Sequence, residues 1–299
     1  LVYTLPRAEV VPPKEDNVGA LDFGILAHEW AHTMFGRLTS MVYTGQQGAI
    51  NEGTADFIGM LLTVRAHDRP FGGAYAVGAY MNLDYSNFAV PVENPDNSYW
   101  HGIRRFPHSV DRAVNPLTFK RVGMDHPLPR ADNGFDWKLR TLTNAEIHTA
   151  GEIWTAALWQ CSSALLNAAP ASQFEASRKR FLDHLVAGLK LMPTEATYTE
   201  ARDALLAAIR ADSEADYRRC RAGFAARGLG AGAVSPARFD VRMLGAVESY
   251  RDSERALSIV DVALTDLPGG DADGVLDRGE TGRVSVTVLN SGFAPTSTA

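Results

Sequence analysis

Apolar positions recur every three or four residues through the first two-thirds of the chain, which is the spacing of helices that bury one face. Asp22 can cap a helix that runs to about Leu38, and Glu52 is predicted to open a second helix. Four further helical segments are predicted near residues 145–168, 172–191, 195–211 and 213–227. Gly228 stops the last of them, at a position that favours glycine.

The first predicted helix carries an apolar stripe, which is typical of a side that packs against the protein interior. At helical spacing the stripe comprises Leu26, Trp30 and Met34, and it is widened by Phe23, Ile25 and Phe35.

The pattern changes twice after the first helices. Residues 68–143 are rich in Pro, Gly, Asn and Asp and are predicted to be mostly loop. Residues 231–254 form a predicted linker, and from residue 255 to residue 299 apolar and polar positions alternate as in half-buried strands. Two or three strands are too few to be stable alone, so residues 255–299 are predicted to begin a β-sandwich-like module that is cut short. The predicted fold class is therefore α+β, with a mostly α-helical domain over residues 1–230.

Composition narrows the classes of protein that need to be considered. The chain has 299 residues, a net charge of -6 and no basic stripe, so nucleic-acid binding is not expected. No apolar run approaches the roughly 20 residues of a membrane span. The two cysteines, Cys161 and Cys220, either pair in an oxidising compartment or are two buried thiols.

His28 and His32 lie four residues apart in the first predicted helix, so both imidazoles project from one face and can bind the same metal ion. Glu52, at the start of the second helix, is the predicted third ligand. Two histidines and one carboxylate leave a fourth position for water, which is typical of a catalytic zinc site. Glu29 is the predicted general base, which accepts a proton from the attacking water and delivers it to the leaving amine.

A second layer of residues can orient these ligands. Asp56 lies one turn after Glu52, and it is predicted to accept the second ring N–H of a metal-binding histidine, with Asn51 as a weaker candidate.

Acidic residues also alternate in the loop before the last predicted strand. Asp271, Asp273, Asp277 and Glu280 could bind Ca²⁺ through hard oxygen ligands. The loop lacks the full twelve-residue spacing of a known calcium loop, so the alternative is a solvated turn.

The chain resembles known peptidases in several separate blocks. The spacing from His28 to Asp56 is similar to that of thermolysin-like peptidases, and Tyr43 followed by Gly48–Glu52 is similar to thermolysin itself. The other blocks resemble the fungalysin family of zinc metalloendopeptidases over about residues 20–230. Those blocks are Gly102–Ser109, Asn115–Phe119, Glu146–Trp154 and Arg227–Gly230.

This resemblance implies further site residues. His148 matches a histidine that donates a hydrogen bond to the tetrahedral oxyanion, and Tyr43 matches a tyrosine with the same role. The aspartate that orients such a histidine in thermolysin is replaced by Thr143. Glu146 or Glu152 could take its place, and the sequence does not choose between them.

The resemblance also implies the fold and the activity. Residues 1–230 would be the mostly helical C-terminal subdomain of a thermolysin-like peptidase, without the N-terminal β-rich subdomain. The implied function is that of a secreted zinc-dependent metalloendopeptidase that acts on polypeptides and is made with an inhibitory propeptide. We expect this chain to hold zinc but to cleave poorly. The alternatives are an inactive zinc-binding pseudo-peptidase or binding module, and a zinc aminopeptidase of the same clan.

Overall fold

The computed structural model describes residues 19–39, 45–80, 102–125, 143–252, 257–267 and 273–290. Within these ranges the chain forms six α-helices and one two-stranded antiparallel sheet, which confirms the prediction of a mostly α-helical chain with a short β segment. In chain order the elements are α1 (Phe23–Leu38), α2 (Gly45–Thr63), α3 (Ile147–Ala168), α4 (Phe174–Leu191), α5 (Tyr198–Asp212), α6 (Glu214–Ala226), β1 (Leu257–Asp266) and β2 (Gly282–Asn290). Among the described helices, none has the length and apolar character needed to cross a membrane.

Helix α1 begins as predicted. The Asp22 side chain accepts hydrogen bonds from the backbone N–H groups of Gly24 (2.9 Å) and Ile25 (3.3 Å), which would otherwise have no partner in the first turn. The helix ends at Leu38, also as predicted.

The predicted apolar stripe of α1 is wrong at Leu26 and Trp30, which are more than half exposed, at 54% and 58%. Ile25 and Phe35, which were predicted to widen the stripe, are buried together with Ala31. Because apolar residues occur nearly all around this helix, their spacing alone does not identify the packed side. The buried side is the one that carries His28, and it packs against α2.

Helix α2 begins at Gly45, seven residues before the predicted start at Glu52. Contacts with distant parts of the chain explain the longer helix. The Gln46 side chain accepts from the N–H of Tyr198 (3.3 Å) and donates to the carbonyl of Pro236 (3.1 Å), and the Gln47 side chain accepts from the N–H of Ala196 (3.0 Å). Such contacts stabilise a first turn whose own sequence gives a weak helix signal.

Helices α2 and α3 cross at very short distance. A Cβ atom on Gly53 would lie 2.3 Å from the carbonyl oxygen of Gly151, so glycine is required at this crossing. The approach brings the middle of α2, with Glu52, next to the first turns of α3. Nearly all of α2 is buried as a result.

The remaining helices support α2 and α3. Helix α3 packs against α6, and α4 packs against α5. Of the two alternatives for the cysteines, the structure has the disulfide, with Cys161 of α3 bonded to Cys220 of α6. The core between these helices contains Phe57, Trp154, Trp159, Phe181, Tyr198 and Phe224.

Residues 68–143, between α2 and α3, contain no α-helix in their described parts, which agrees with the prediction that they are mostly loop. Two short backbone contacts hold it in place. Ile103 N–H donates to the Val77 carbonyl (3.0 Å), and Tyr75 and His108 exchange a pair of hydrogen bonds. These contacts position Arg104 and its neighbours beside α2.

The predicted linker, residues 231–254, is packed against the helices over its described part. Met243 is fully buried, and Arg238 forms an ion pair with Glu200 of α5 (2.6 Å). Val234 and Val247 pair with each other in an antiparallel bridge. The division into domains at residues 230 and 254 stays a prediction.

The two strands pair in antiparallel register with one irregularity, between Ile259 and Asp261. Val288 faces Ile259, Val286 faces Val262 and Val284 faces Leu264, so the predicted alternation gives one apolar face. The sandwich-like module that this hairpin would begin also stays a prediction.

Candidate metal centre

Helices α1 and α2 bring three predicted ligands together. His28 Nε2 lies 3.0 Å from His32 Nε2 and 3.4 Å from Glu52 Oε2, and His32 Nε2 lies 3.7 Å from Glu52 Oε1. The ligand atoms of the three residues all lie within 4.8 Å of one another. In the part of the chain that the structure describes, this is the single group of three or more such side chains with the spacing of a metal site.

The donor atoms of this group fit a metal ion. Glu52 is 7% exposed, and its Oε2 is buried without a hydrogen-bond partner. A buried polar atom without a partner typically costs about 1–3 kcal/mol, and more when the group is charged. A cation between the two imidazoles and this carboxylate would give that oxygen a partner. Two imidazole nitrogens and one carboxylate form a donor set of catalytic zinc sites.

Each of the two histidines contacts a different residue of α2 through its Nδ1 atom. His28 Nδ1 lies 2.9 Å from Asp56 Oδ1, and His32 Nδ1 lies 3.0 Å from Asn51 Oδ1. Both oxygens act as acceptors, so each Nδ1 carries the hydrogen and each Nε2 presents a lone pair to the site. The structure thus places both of the predicted orienting residues, one behind each histidine.

Arg104 balances the charge of Asp56. Its guanidinium donates two hydrogen bonds to that carboxylate, with Nε 2.6 Å from Oδ2 and Nη2 2.7 Å from Oδ1, and both side chains are buried. Burial alone would raise the pKa of Asp56, but Arg104 and His28 hold it well below its ordinary value. Burial opposes the charged form of His28, whereas the neighbouring carboxylates of Asp56 and Glu52 raise its pKa to about 9. A metal ion bound at Nε2 would take the place of the proton there.

His148 lies in the first turn of α3, and its Nε2 is 3.4 Å from Glu52 Oε2. Its Nδ1 is 2.6 Å from Glu146 Oε1. The other candidate partner, Glu152, is buried and accepts hydrogen bonds from the backbone N–H and the side chain of Arg105 (2.8 Å each). Of the two glutamates left open by the sequence, Glu146 is therefore the one that contacts His148.

The other two predicted catalytic residues are Glu29 and Tyr43. Glu29 is exposed on α1, one position after His28 and three before His32. Tyr43 lies outside the described residues.

One residue near the site was not assigned a role from the sequence. His108 is 1% exposed, and its Nε2 lies 3.9 Å from Asp56 Oδ2. Neither ring nitrogen has a hydrogen-bond partner, and burial lowers the pKa of His108 to about 4. Its position in a loop between Pro107 and Ser109 gives no signal of such deep burial.

The predicted calcium loop receives no support from the described residues. Asp273 accepts from the N–H of Val275 (2.8 Å), and Glu280 accepts from the N–H of Asp277 (2.9 Å), which are the contacts of a turn. Asp271 lies outside the described residues.

Comparisons with known proteins show which family and which relatives this sequence matches. The sequence model of the family described as Fungalysin metallopeptidase matches residues 11–233. The chain is 26% identical over 254 residues to Extracellular metalloproteinase 10 of Coccidioides posadasii (strain C735), with 78% of this chain and 33% of that protein covered. It is similarly 26% identical over 250 residues to Extracellular metalloproteinase mep of Aspergillus terreus (strain NIH 2624 / FGSC A1156), with 77% and 33% covered. It is 27% identical over 241 residues to Extracellular metalloproteinase 3 of Trichophyton soudanense, with 74% and 52% covered. The chain thus spans about a third of the length of the first two relatives and about half of the third.

Proposed function

Because the chain belongs to the fungalysin metallopeptidase family, we propose that it is a zinc-dependent endopeptidase whose metal is held by His28, His32 and Glu52. One observation carries the proposal. Three donor atoms from two helices converge within 4.8 Å, and a carboxylate oxygen buried among them has no hydrogen-bond partner. Since the chain spans only part of its relatives, the activity of the whole protein is included in this proposal.

Zinc bound by these residues would supply Lewis-acid chemistry and would lower the pKa of water from 15.7 toward about 7. The chain's own contribution begins with orientation. Asp56 and Asn51 hold the Nδ1–H groups of His28 and His32, so that both Nε2 lone pairs face Glu52. Partners of this kind typically change metal affinity or activity by about 10–100-fold.

Glu29 is the proposed proton carrier. It lies between His28 and His32 in the sequence of α1. Because successive residues of a helix are rotated by about 100° around its axis, the Glu29 side chain projects from α1 beside the two proposed ligands. Its carboxylate would take a proton from the attacking water and deliver it to the nitrogen of the leaving amine. General acid–base transfer of this type contributes about 10²–10⁴-fold to rate.

His148 is the proposed donor to the oxyanion that forms at the scissile carbonyl. Its hydrogen bond to Glu146 raises the pKa of His148, although burial opposes this, and the protonated ring carries a hydrogen on Nε2. That nitrogen lies on the Glu52 side of the ring. A donor aimed at a developing oxyanion is typically worth about 3–4 kcal/mol. Tyr43 is proposed as a second donor.

The proposed substrates are polypeptides in extended conformation. We propose that the protein is secreted, because the relatives named above are called extracellular metalloproteinases. The inhibitory propeptide stays a prediction.

The test compares wild type with Glu29→Gln. Both proteins should bind one zinc ion, because Glu29 is not a ligand, and the variant should lose hydrolysis of a peptide blocked at its N-terminus by about 10²–10⁴-fold. Glu175→Gln is the matched control, since Glu175 is an exposed glutamate at the start of α4 and should leave activity unchanged.

Other outcomes identify the alternatives. Stoichiometric zinc without hydrolysis by the wild type, even at long incubation, would favour a pseudo-peptidase or binding module. Hydrolysis that requires a free amino terminus would favour an aminopeptidase. Full activity in Glu29→Gln would refute the proposed mechanism.

A further inference from the structure

We propose that residues 234–252, called the strap below, belong to the metallopeptidase unit and position the N-terminal half of α2, an inference that rests on the proposed zinc site. The family match ends at residue 233, and the strap follows it directly. None of the three proposed ligands lies in the strap. Its role is to hold in place the part of α2 that leads to Asn51 and Glu52.

The first turn of α2 has little tendency to form helix by itself. It consists of Gly45, Gln46, Gln47 and Gly48, and glycine is the least favourable residue of a helix interior after proline. Starting a helix is also its least favourable step, because several residues are fixed for each hydrogen bond formed. The position of this turn therefore depends on contacts from outside α2.

Gln46 connects the first turn of α2 to the strap. Its Nε2 donates to the carbonyls of Pro236 (3.1 Å) and Ala237 (3.2 Å). Oε1 of the same side chain accepts from the N–H of Tyr198, at the start of α5 (3.3 Å). Because Gln46 is buried, an amide without these partners would be costly there. The side chain thus ties α2 to the strap and to α5 at one point.

Met243 covers the same turn from the strap side. A Cβ atom placed on Gly45 would lie 3.1 Å from Cε of Met243, which is fully buried. Met243 has a φ of 49°, and such backbone persists in a non-glycine residue only where its surroundings hold it. The Asp240 side chain does so by accepting from the N–H groups of Arg242 and Leu244 (2.9 Å each). The strap is therefore a defined structure and not a loose connection.

A second set of contacts fixes the strap to the start of α5. Arg238 donates to both carboxylate oxygens of Glu200 (2.6 and 2.9 Å) and to the carbonyl of Glu195 (2.6 Å). The Ser235 hydroxyl accepts from the N–H of Thr199 (3.0 Å). Since Pro236 and Ala237 lie between Ser235 and Arg238, these contacts present their carbonyls to α2.

This half of α2 leads to a proposed ligand and to the residue that contacts the second histidine. Asn51 lies one helical turn after Gln47, and Glu52 follows it directly. Asn51 Oδ1 is 3.0 Å from His32 Nδ1 on α1. The groups of a binding site must be held within about 0.5 Å of their working geometry. A small shift of the first turns of α2 therefore changes the metal site, although the strap contributes no ligand to it.

The test uses the full chain with the double substitution Ser235→Ala and Arg238→Met. These changes release the strap from α5 and alter no proposed ligand. The cap of α5 is kept, because Thr197 and Glu200 still bond to each other. We expect the Kd for zinc, measured by competition with a chromogenic chelator, to rise by about 2–30-fold, the range for substitutions that act on a site without contacting its ligand.

Amide hydrogen exchange of the metal-free protein gives a second measurement that does not depend on zinc. Residues 45–51 should exchange faster in the double variant, whereas residues 154–166 in the core of α3 should exchange as in wild type. A strap that contributes only to global stability would instead speed exchange in both segments. The urea midpoint should change little, because partly exposed ion pairs contribute little to global stability.

The matched control is Arg242→Met, which makes the same substitution at an exposed side chain of the strap. It should bind zinc as wild type does. Wild-type zinc affinity in the double variant, faster exchange in both segments, or an equal loss of affinity in Arg242→Met would each overturn the proposal. A wild-type chain that binds no zinc would refute the proposed metal site, and exchange of residues 45–51 would still decide whether the strap holds α2.

Discussion

Replacing Gly53 with alanine should push apart the two helices that carry Glu52 and His148. The new Cβ would lie 2.3 Å from the carbonyl oxygen of Gly151 and 2.8 Å from Cβ of Trp154. Carbon–oxygen contacts in proteins lie near 3.3–3.6 Å, so the helices must separate locally by about 1 Å. The obstacle is the backbone of α3, which a side-chain rotation does not remove.

Two opposing terms decide the sign of the change. In the middle of a helix, alanine is favoured over glycine by about 1 kcal/mol. Overpacking of a well-packed core costs about 1–3 kcal/mol, and a clash with backbone belongs at the upper end of that range. We therefore expect a net loss of about 1–2 kcal/mol in the free energy of unfolding. Because Glu52 is the neighbour of Gly53, and His148 lies one turn before Gly151, zinc affinity should fall as well.

Urea unfolding followed by circular dichroism measures the first effect, and competition with a chromogenic chelator measures the second. The matched control is Gly48→Ala, in the same helix. Its Cβ would meet only the Ile147 side chain, at 2.9 Å from Cγ2, and not the backbone of α3. The reasoning is refuted if Gly53→Ala is as stable as Gly48→Ala and binds zinc as tightly as wild type.

Two further predictions concern stability. The folded-state pKa of His108, about 4, lies below the ordinary value of 6.5, so the native state binds fewer protons and loses up to about 3 kcal/mol as pH falls from 6.5 to 4. This loss should be smaller in His108→Phe when unfolding is measured across that range, and an identical acid profile would contradict it. The disulfide links residues separated by 59 positions, so replacing Cys161 and Cys220 by alanine should cost about 4 kcal/mol by loop entropy, and an unchanged urea midpoint would contradict that estimate.

The residues of the candidate metal site could be brought together from sequence because their spacing is a matter of local geometry. Two histidines four residues apart share a helix face whatever surrounds the helix, and Glu52 and Asp56 are likewise one turn apart. The capping of α1 by Asp22 is equally local. These predictions need no knowledge of how helices pack.

The features that sequence did not predict depend on contacts between distant segments. The start of α2 at Gly45 depends on Tyr198 and Pro236, which lie more than 150 positions away in the chain. The choice between Glu146 and Glu152 depends on Arg105, which donates a hydrogen bond to Glu152. The exposed side of α1 depends on how α2 lies against it, and apolar spacing carries no information on that point.

Helix α2 shows why the metal centre stands out from the rest of the core. A helix buried on nearly all sides needs a partner for each polar side chain, since an unpaired one is costly. Asn51 meets His32, Thr54 accepts from the indole N–H of Trp154 (3.1 Å), and Asp56 meets His28 and the guanidinium described above. Glu52 departs from this rule, because its Oε2 is buried without a hydrogen-bond partner and lies 3.4 Å from Nε2 of His28 and 3.4 Å from Nε2 of His148. The unpaired oxygen therefore marks a place where a bound cation would offset a cost that the fold retains, and it does so independently of any motif in the sequence.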